Sequence, residues 1–582
     1  MYEARHKKSD RFEMSFFARD HSLAAPQIAA SASPNFYDSH RSVSTFEPAV
    51  FKEIHETTST HELPLTSTIS HLKTKNVQRP TNLINRFMQT QKSTDKTVNL
   101  ASHLPKSKTP LIISRISRQF FTMGSHQPGD EVFKTRILPV PTTDLGHLED
   151  ASTLEKWVLP PTRLESLQKA AEHLKHSNIP VGFPTETVYG LGADATRSEA
   201  VKGIYKAKGR PSDNPLIIHV CDLTMLRSLL SPSQGDPIPE IYKPLIKKFW
   251  PGPLTILLPN PSPSKLAPEV TAGLPSFGAR MPESPLALSL IHLAGVPLAA
   301  PSANASTKPS PTTAQHVFHD LNGKIEFILD GGACQVGLES TVVDGLCDPP
   351  VVLRPGGVSI DRIRECPSWE GVVRGYKDAS EIGASAPRAP GMKYKHYSPK
   401  AKVVLFEAPA SNSKHNFGIP LEVWRVISAI NGKLEHFGYE SLTRIPTIGI
   451  VTTRHWGEWA GFHAAKWSWD GEQSQDTLTV VIRTLPISTS DSFQIKRGEL
   501  WQGGPLLGMG GQPRESDRHI ADLTQVALGQ ETKDIAHGLF SALRELDQRG
   551  VDVIYVEGIE DEGDIAAAVM NRLRKAASVI EK

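Results

Sequence analysis

The strongest constraint on the fold lies near the C-terminal end of the chain. Two helical stripes of apolar residues flank a glycine and a short apolar run, in the order Ile535, Leu539, Phe540, Leu543 and Leu546, then Gly550, then Val553–Val556, then Ile565, Val569, Leu573 and Ala577. A helix, a glycine stop, a buried strand and a second helix in this order are typical of a parallel α/β sheet. The pattern therefore predicts a Rossmann-like unit, with further strands at Lys402–Phe406 and Thr447–Val451.

A second and larger α/β region precedes it. The chain has 582 residues, too many for one hydrophobic core. Between about residue 160 and residue 375, short helical and extended patterns alternate and are separated by Gly and Pro. The expected strands are Ile179–Phe183, Leu216–Val220, Leu254–Leu258, Pro297–Ala300, Ile325–Leu329, Thr341–Asp344 and Val351–Leu353. This alternation predicts one α/β domain.

The first 150 residues differ from the rest. They are rich in Ser, Thr, His and Lys, and their apolar residues follow neither strand nor helix periodicity. Such a segment buries too little apolar surface to offset its ordering entropy, so we predict a disordered extension, with ordered structure beginning near Arg163. The predicted organisation is an extension over 1–150, an α/β domain over 155–380, a linker over 383–400 and a second α/β domain over 401–582.

One part of the extension has a more specific composition. Between Met88 and Met123 the acidic residue is Asp95 alone, against six basic ones: Lys92, Lys96, Lys106, Lys108, Arg115 and Arg118. A mitochondrial transit peptide has this composition, and so has an ordinary basic tail. We expect a cytoplasmic protein. Our hypothesis is that translation from Met88 gives a mitochondrial form and translation from Met123 a cytosolic one.

Bulk properties exclude several classes of protein. The net charge of +2 is an exception, since it argues neither for nor against a nucleic-acid partner. The cysteines stand apart, without a C-x-x-C pair, so reduced thiols are expected. No apolar run approaches the roughly 18 residues that a membrane span needs. P-loop, H-E-x-x-H and G-x-S-x-G motifs are missing, and Gly190–Ala195 lacks the third glycine of a dinucleotide fingerprint.

A constrained basic loop offers another way to hold a nucleotide. Lys206–Leu216 carries two lysines and an arginine between Gly and Pro residues, which suits a triphosphate. His219 closes the strand that follows. Downstream, Pro301–Ser306 presents hydroxyl and amide side chains at the end of a small-residue strand, a usual place for ligand contacts in α/β folds.

Further polar segments complete the candidate site. Pro184–Gly192 alternates polar side chains and ends in glycines that admit close backbone approach. Within it, Glu186 is either a general base or a structural carboxylate. Arg280 and Arg354 stand in loops or at strand ends, where buried arginines usually pair with carboxylate or phosphate.

Six motifs in a fixed order resemble one family. They are P-T-E-T-V-Y-G-L-G, K-A-K-G-R-P-S-D-N-P-L, P-S-A-N, L-D-G-G, E-S-T-V-V-D and L-R-P-G, and the linker adds P-G-M-K-Y-K-H-Y-S-P. Over about residues 155–582 the chain is similar to the YrdC-type threonylcarbamoyl-AMP synthases, in their longer, two-domain branch. The resemblance implies a YrdC-like domain with a twisted mixed sheet, a lid-forming linker and a smaller Rossmann-like domain.

The resemblance also implies a reaction and its participants. Family members join L-threonine, bicarbonate or CO2, and ATP into threonylcarbamoyl-AMP and pyrophosphate. A separate transferase complex then uses this product for the N6-threonylcarbamoyladenosine modification of tRNA. Mg²⁺ is expected with ATP, but no carboxylate cage for a metal is visible in the sequence, so the triphosphate would provide most of its ligands.

Motif matching carries the family's functional residues onto this chain. The K-x-R…S-x-N signature falls on Lys208, Arg210, Ser302 and Asn304. The expected catalytic residues are Lys208 and Arg210. L-Threonine would be held by Thr187, His219, Arg280 and Ser340. ATP would be held by Arg210, Asn214, Ser276, Ser302, Asn304, Ser310, Arg354 and a linker tyrosine, for which we favour Tyr394 over Tyr397.

Two other functions compete with this one. An RNA-binding module would use the basic loop as an electrostatic footprint and would not need ATP, although weak RNA contact is compatible with the enzyme. A carbamoyltransferase of the hydrogenase-maturation type contains a similar domain, but it also carries paired zinc-finger cysteines, which this chain lacks.

Overall fold

The structure is a computed structural model. It describes residues 133–375 except 213 and 233, then 396–407, 445–461, 467–468, 477–478, 480–489, 493–502, and 518–581 except 564. All of these residues belong to the unit formed by residues 118–582. The predictions for residues 1–132 and for Tyr394 fall outside the described residues.

Within the described residues, eleven strands of the N-terminal domain form one mixed sheet. Its spatial order is β1-β10-β4-β5-β9-β6-β8-β7-β11-β12-β13, and β2 pairs with β3 apart from it. The strands are β1 Arg136–Pro139, β2 His147–Leu148, β3 Trp157–Val158, β4 Val181–Pro184, β5 Tyr189–Asp194, β6 Ile217–His219, β7 Leu254–Pro259, β8 Ser276–Arg280, β9 Leu298–Ala299, β10 Phe327–Asp330, β11 Thr341–Asp344, β12 Val351–Arg354 and β13 Val373–Arg374.

Helices cover this sheet and bury their apolar faces against it. They are α1 Glu165–His176, α2 Ser198–Lys208, α3 Leu223–Ser228, α4 Lys243–Phe249 after a 3-10 turn at Glu240–Tyr242, α5 Pro268–Thr271, α6 Pro285–Ala294, α7 Ala314–Leu321 and α8 Ile360–Arg364. Side-chain caps start several of them. Asp222 accepts a hydrogen bond from the Met225 amide, and Ser284 from the Ala287 amide. Gly209 ends α2 in the left-handed conformation, and the chain continues from there as the loop that carries Arg210.

The predicted start of ordered structure near Arg163 is wrong. Strand β1 pairs in parallel with β10, and the Arg136 guanidinium carbon lies 4.7 Å from the centre of the Phe327 ring. Residues 133–150 therefore belong to the domain rather than to the extension. The strand has only four residues and two aliphatic side chains. Its pairing with β10 stabilises it, and no local pattern reveals it.

The C-terminal domain has the predicted Rossmann-like core. Its described strands form a sheet in the order β18-β19-β20-β15-β21-β14-β22, in which β20, β15, β21, β14 and β22 run parallel. The elements are β14 Lys402–Phe406, β15 Thr447–Thr452, a 3-10 turn Glu458–Gly461, the small pair β16 Trp467–Ser468 and β17 Thr477–Leu478, then β18 Val480–Thr489, β19 Gln494–Gln502, β20 Arg518–Ala527, α9 Thr532–Gln548, β21 Val553–Glu557, α10 Ala566–Ala576 and β22 Val579–Glu581. The antiparallel hairpin β18–β19 was not predicted.

The two domains share a hydrophobic core. Val188 and Leu338 from loops of the N-terminal domain are buried in one cluster with Tyr397 and with apolar residues of α9 and α10. The C-terminal helices therefore pack directly on loops that carry the predicted motifs. In the part of the chain that the structure describes, no helix combines the length and apolarity needed to cross a bilayer.

Candidate active site

A cleft opens where several strands of the N-terminal domain end. Its walls include the turn between β4 and β5, the ends of β6 and β8, the segment before β11 and the end of β12. The linker residues His396 and Tyr397 line it as well. Seven of the predicted site residues line this one cleft: Thr187, Arg210, His219, Arg280, Ser302, Ser340 and Arg354.

Arg280 is buried at one end of the cleft. It donates hydrogen bonds to the Thr187 hydroxyl at 2.9 Å, to the Gly252 carbonyl at 3.1 Å and to Glu186 Oε1. Both partners of the Arg280–Glu186 ion pair are nearly inaccessible to solvent, at 4% and 6% side-chain exposure. A guanidinium has five N–H groups. These three bonds, the ones made by described residues, leave two N–H groups for a ligand.

His219 ends β6 beside Arg280. Burial, assisted by the charge of Arg280, lowers the pKa of His219 to about 3, so the imidazole is neutral at physiological pH. Its Nδ1 atom is buried and has no hydrogen-bond partner among the described residues. An unsatisfied buried nitrogen is costly, so this atom is suited to a polar group of a ligand.

Ser340 and Arg354 form a second polar wall. The Ser340 hydroxyl lies 2.8 Å from that of Thr255 on β7, and Arg354 donates to the Ser340 carbonyl at 2.8 and 3.0 Å. Burial lowers the pKa of Arg354 to about 10, so it stays a cation. Because β11 and β12 are antiparallel neighbours, Ser340, just before the start of β11, lies next to the end of β12.

The two halves of the K-x-R…S-x-N signature contact each other. The Lys208 ammonium donates to the backbone carbonyls of Ser302 and Asn304, the latter at 2.7 Å, and Ser302 Oγ donates to Asn304 Oδ1 at 2.6 Å. Burial, then the charge of Arg210, lowers the pKa of Lys208 to about 7. Lys208 is buried behind the cleft wall, whereas Arg210 lines the cleft itself.

Glu339 is the carboxylate among the described residues that line the cleft. Its Oε1 accepts a hydrogen bond from the Ser310 hydroxyl at 2.6 Å, and its Oε2 accepts one from Arg572 Nε at 3.1 Å. Burial alone would raise the pKa of Glu339, but Arg572 and Arg354 outweigh it and hold this pKa at about 2. The carboxylate is therefore ionised.

Comparison with known proteins gives a consistent result. Residues 174–356 match the Sua5–YciO–YrdC family, described as telomere recombination, and residues 358–578 match the family described as threonylcarbamoyl-AMP synthase, C-terminal domain. The threonylcarbamoyl-AMP synthase of Schizosaccharomyces pombe is 41% identical over 443 residues, which are 72% of this chain and 91% of that protein. The Bacillus subtilis protein of the same name is 38% identical, over 71% and 92%.

The chain belongs to the threonylcarbamoyl-AMP synthase family. A crystal structure of the Sua5 protein of Pyrococcus abyssi complexed with L-threonine has a TM-score of 0.51 to this chain at 36% identity, covering 72% of this chain and 97% of that one. A second structure of the same archaeal protein, with an adjacent His–Tyr pair replaced by alanines, has a TM-score of 0.50. The family and the fold class expected from the motifs are confirmed.

Membership in this synthase family does not assign single residues, but the structure places each of the predicted ones except Tyr394. The four residues expected to hold L-threonine line the same cleft, and so do three of those expected to hold ATP. Asn304 and Ser310 are hydrogen-bonded to two residues that line the cleft, Ser302 and Glu339 respectively. Ser276 starts β8, about 13 Å along the strand from Arg280. Asn214 is buried, and its side-chain oxygen has no partner among the described residues.

Three residues at the synthase site were not predicted. Glu339 stands in the E-S-T-V-V-D motif but had no expected role. Arg544 and Arg572 belong to α9 and α10, and both contact loops of the site. Arg544 donates to Asp320 at 2.8 Å and to the Pro309 carbonyl. The available signal was a charged residue inside the apolar stripe of an amphipathic helix, because such a charge needs a buried partner.

Proposed function

We propose that this chain joins L-threonine, bicarbonate or CO2, and ATP into threonylcarbamoyl-AMP and pyrophosphate. The observation that carries the proposal is the cleft that brings together a neutral histidine, a partly satisfied arginine and two further arginines. Family membership provides the reaction, and the contacts of these residues support separate places for the two substrates.

The end with Arg280 fits an amino acid. The two remaining N–H groups of Arg280 suit a carboxylate, since a guanidinium binds one in a bidentate manner. The side chains of Thr187 and Ser340 offer hydroxyl groups, and His219 Nδ1 offers an acceptor. The positive charge of Arg280 disfavours a second cation beside it and so lowers the pKa of the substrate ammonium group, which favours the free amine that the reaction requires as nucleophile.

The opposite end fits a nucleotide. Arg210 and Arg354 both bring positive charge to the cleft, and Ser302 adds a hydroxyl. Arg210 would stabilise the charge of the departing pyrophosphate. The contacts of Lys208 support an indirect contribution, in which its ammonium fixes the Ser302–Asn304 segment against the nucleotide.

The chemistry needs no covalent intermediate with the protein. The threonine nitrogen attacks the carbon of bicarbonate or CO2 and forms a carbamate, with water leaving when bicarbonate is used and a proton passing to solvent when CO2 is used. A carbamate oxygen then attacks the α-phosphorus of ATP, and the bond to pyrophosphate breaks. The carbamate is labile in water, so holding both reactants in one cleft supplies much of the rate.

Mg²⁺ fits this site as an ion carried by ATP. Glu339 is the carboxylate among the described lining residues, and both of its oxygens already accept hydrogen bonds. The triphosphate and water would therefore provide most of the ligands of the ion, as Mg²⁺ usually requires. Bound in this way, it would neutralise phosphate charge.

The linker supplies the remaining wall. The chain contains one His–Tyr dipeptide, His396–Tyr397, and both residues line the cleft. Of the two linker tyrosines, Tyr397 is thus the candidate for contact with the nucleotide. We further propose that the product passes to a transferase complex that modifies tRNA, and that starts at Met88 and Met123 direct mitochondrial and cytosolic forms.

One assay tests this function. Purified protein is incubated with ATP, Mg²⁺ and bicarbonate, together with L-threonine, L-serine or L-valine. Pyrophosphate release and the adenylate are measured by enzyme-coupled absorbance and mass spectrometry. We expect threonylcarbamoyl-AMP in the complete mixture and loss of product when any one substrate is left out. Pyrophosphate release that does not need threonine, or salt-dependent tRNA binding without adenylate formation, would contradict the proposal.

A further inference from the structure

Arg572 lies in the C-terminal domain but contacts three segments of the site. Its side chain is fully buried, its Nε donates to Glu339 Oε2 at 3.1 Å, and its Nη1 donates to the Pro355 carbonyl. Its guanidinium carbon lies 6.0 Å from the centre of the Tyr397 ring. One side chain of α10 thus joins the segment before β11, the segment after β12 and the linker.

The charge of Arg572 matters because of the position of Glu339. Glu339 lines the same cleft as Arg210, Ser302 and Arg354, and the charge of Arg354 helps to lower its pKa. An anionic side chain there faces the place proposed for a triphosphate, and two negative charges in a site with little water repel each other strongly. A compensating cation is therefore needed close to Glu339, and Arg572 bonds to it directly.

The same contact sets the direction of the Glu339 side chain. Arg572 binds Oε2, which leaves Oε1 to accept the Ser310 hydroxyl. Tyr397 is held on the other side, stacked on Phe540 with ring centres 5.1 Å apart and at a positive φ of 66°. A tyrosine rarely adopts this backbone conformation, so the surrounding contacts must hold it there.

We propose that Arg572 is a positioning residue for the nucleotide end of the cleft: it orients Glu339 and cancels its charge, so that a polyanion can bind beside it. The C-terminal domain thereby contributes to ATP binding without touching ATP. This inference rests on the proposed function, because it takes the Arg210–Arg354 end as the nucleotide site.

The test compares charge with packing. Arg572→Gln removes the charge and keeps a hydrogen-bond donor, whereas Arg572→Lys keeps the charge. ATP affinity and L-threonine affinity are measured separately by calorimetry on the full chain, without bicarbonate. We expect Arg572→Gln to weaken ATP binding about 10- to 100-fold, the order expected for an uncompensated charge a few ångströms from the phosphates. Threonine affinity should change less than about twofold, and Arg572→Lys should bind ATP within about threefold of wild type.

A second substitution separates this mechanism from a merely structural role. In Arg572→Gln, adding Glu339→Gln removes the unpaired negative charge, and we expect ATP affinity to return to within about threefold of wild type. Lower pH should also favour ATP binding by Arg572→Gln relative to wild type, because the unpaired carboxylate takes up a proton more readily. A loss of packing would respond to neither change.

The matched control lies two residues further along the same helix. Arg574 pairs with Glu407 at 2.7 Å and with Asp561 at 2.7 Å, away from the cleft. Arg574→Gln should leave ATP affinity unchanged. The inference is overturned if Arg572→Gln binds ATP like wild type, if Glu339→Gln does not restore binding, or if Arg574→Gln weakens binding equally. If Arg572→Gln does not fold, a loss of about tenfold in the ATP affinity of Arg572→Lys would also overturn the inference. Absence of ATP binding by the wild type would instead contradict the proposed function.

Discussion

The Lys208 ammonium donates a hydrogen bond to the Asn304 carbonyl at 2.7 Å, across 96 residues of sequence. It also donates to the Ser302 carbonyl, and the Ser306 amide returns a bond to the Lys208 carbonyl at 3.0 Å. The last turn of α2 and the loop after β9 are therefore one structural piece. The lysine of the signature positions this piece, and the arginine two residues later faces the cleft.

This division of roles predicts different outcomes for Lys208 and Arg210. Arg210→Ala should fold normally and lose about 100-fold or more of the threonine- and bicarbonate-dependent ATP–pyrophosphate exchange, because a cation at the phosphates is removed. Lys208→Ala should also abolish exchange, and should lower the free energy of unfolding by about 2–4 kcal/mol, because two buried carbonyls lose their donor. Lys206→Ala, at an exposed lysine in the same last turn of α2, serves as control. Near wild-type exchange in the Lys208→Ala/Arg210→Ala double variant would contradict both assignments.

Glu186 can be assigned by experiment as a base or as a partner of Arg280. Its Oε1 bonds to Arg280, whereas its Oε2 has no partner among the described residues. As a partner, it fixes the guanidinium that receives the threonine carboxylate. Glu186→Gln should then raise the KM for threonine about 3- to 10-fold and change the turnover rate little, since the amide oxygen still accepts a bond. A roughly 100-fold or larger drop in turnover, with loss of the acidic limb of the pH–rate profile, would identify a general base instead. Glu283→Gln, on a neighbouring carboxylate, is the control.

The buried state of His219 predicts a dependence of stability on pH. Its pKa is about 3 in the folded protein and about 6.5 in an unfolded chain. The unfolded chain therefore takes up a proton between these values while the folded protein does not. This contribution to stability is present above about pH 6.5 and is lost as the pH falls toward 3.

Replacing the histidine should remove that dependence. In His219→Asn, the free energy of unfolding in urea should fall less steeply between pH 6.5 and 4.5 than in wild type, by up to about 1.4 kcal/mol per pH unit. His147→Asn, at an exposed position, should leave the slope unchanged. Equal slopes in wild type and His219→Asn would show that this imidazole takes up a proton in the folded protein.

The short first strand predicts where the chain can be shortened. A chain that begins at Met123 retains β1 and every other described element, so its melting temperature and synthase activity should match those of the full chain. Beginning at residue 146 removes β1, its backbone bonds to β10 and the bond from Thr135 Oγ1 to the Ile325 carbonyl. We expect a loss of about 2–4 kcal/mol in unfolding free energy. Equal stability of the two shortened chains would contradict a structural role for β1.

The elements that sequence could predict are those with an uninterrupted local pattern. β11 and β14 were predicted with the bounds that the structure has, because each is a continuous run of mostly aliphatic residues buried in a sheet. β8, with the sequence Ser-Phe-Gly-Ala-Arg, was not predicted. Glycine is depleted in strands, and here the segment is placed by its pairing with β6 and β7.

The same reasoning separates the predictable and unpredictable parts of the site. Thr187 stands in a recognisable motif, His219 closes the strand after another, and both line the cleft with Arg280. Arg572 stands 233 residues from Glu339 in a helix whose other side chains explain its amphipathic pattern. The place of Arg572 in the apolar stripe indicates that it needs a buried partner, but no local pattern identifies a partner so distant in the sequence.

The contact between the domains gives the last prediction. Gly337, at a φ of +78°, lies so close to α9 that an added Cβ would stand 2.5 Å from His537 Cα and 2.7 Å from the Ala536 carbonyl oxygen. Both are backbone atoms of a long helix, which cannot move locally. Gly332 has a similar φ of +85°, but nothing lies within 4 Å of an added Cβ there.

The two glycines therefore separate backbone strain from collision. Gly332→Ala carries the strain alone and should cost about 1–2 kcal/mol of unfolding free energy. Gly337→Ala should lower the free energy of unfolding by about 1–3 kcal/mol more than Gly332→Ala does, which is the range for overpacking in a filled interior. It should also weaken ATP binding several-fold, because pushing α9 away disturbs the loop that holds Glu339 and Ser340. Both variants are measured by urea unfolding and by ATP calorimetry. If Gly337→Ala is no less stable than Gly332→Ala and binds ATP equally well, the C-terminal helices are not a fixed support for this end of the cleft.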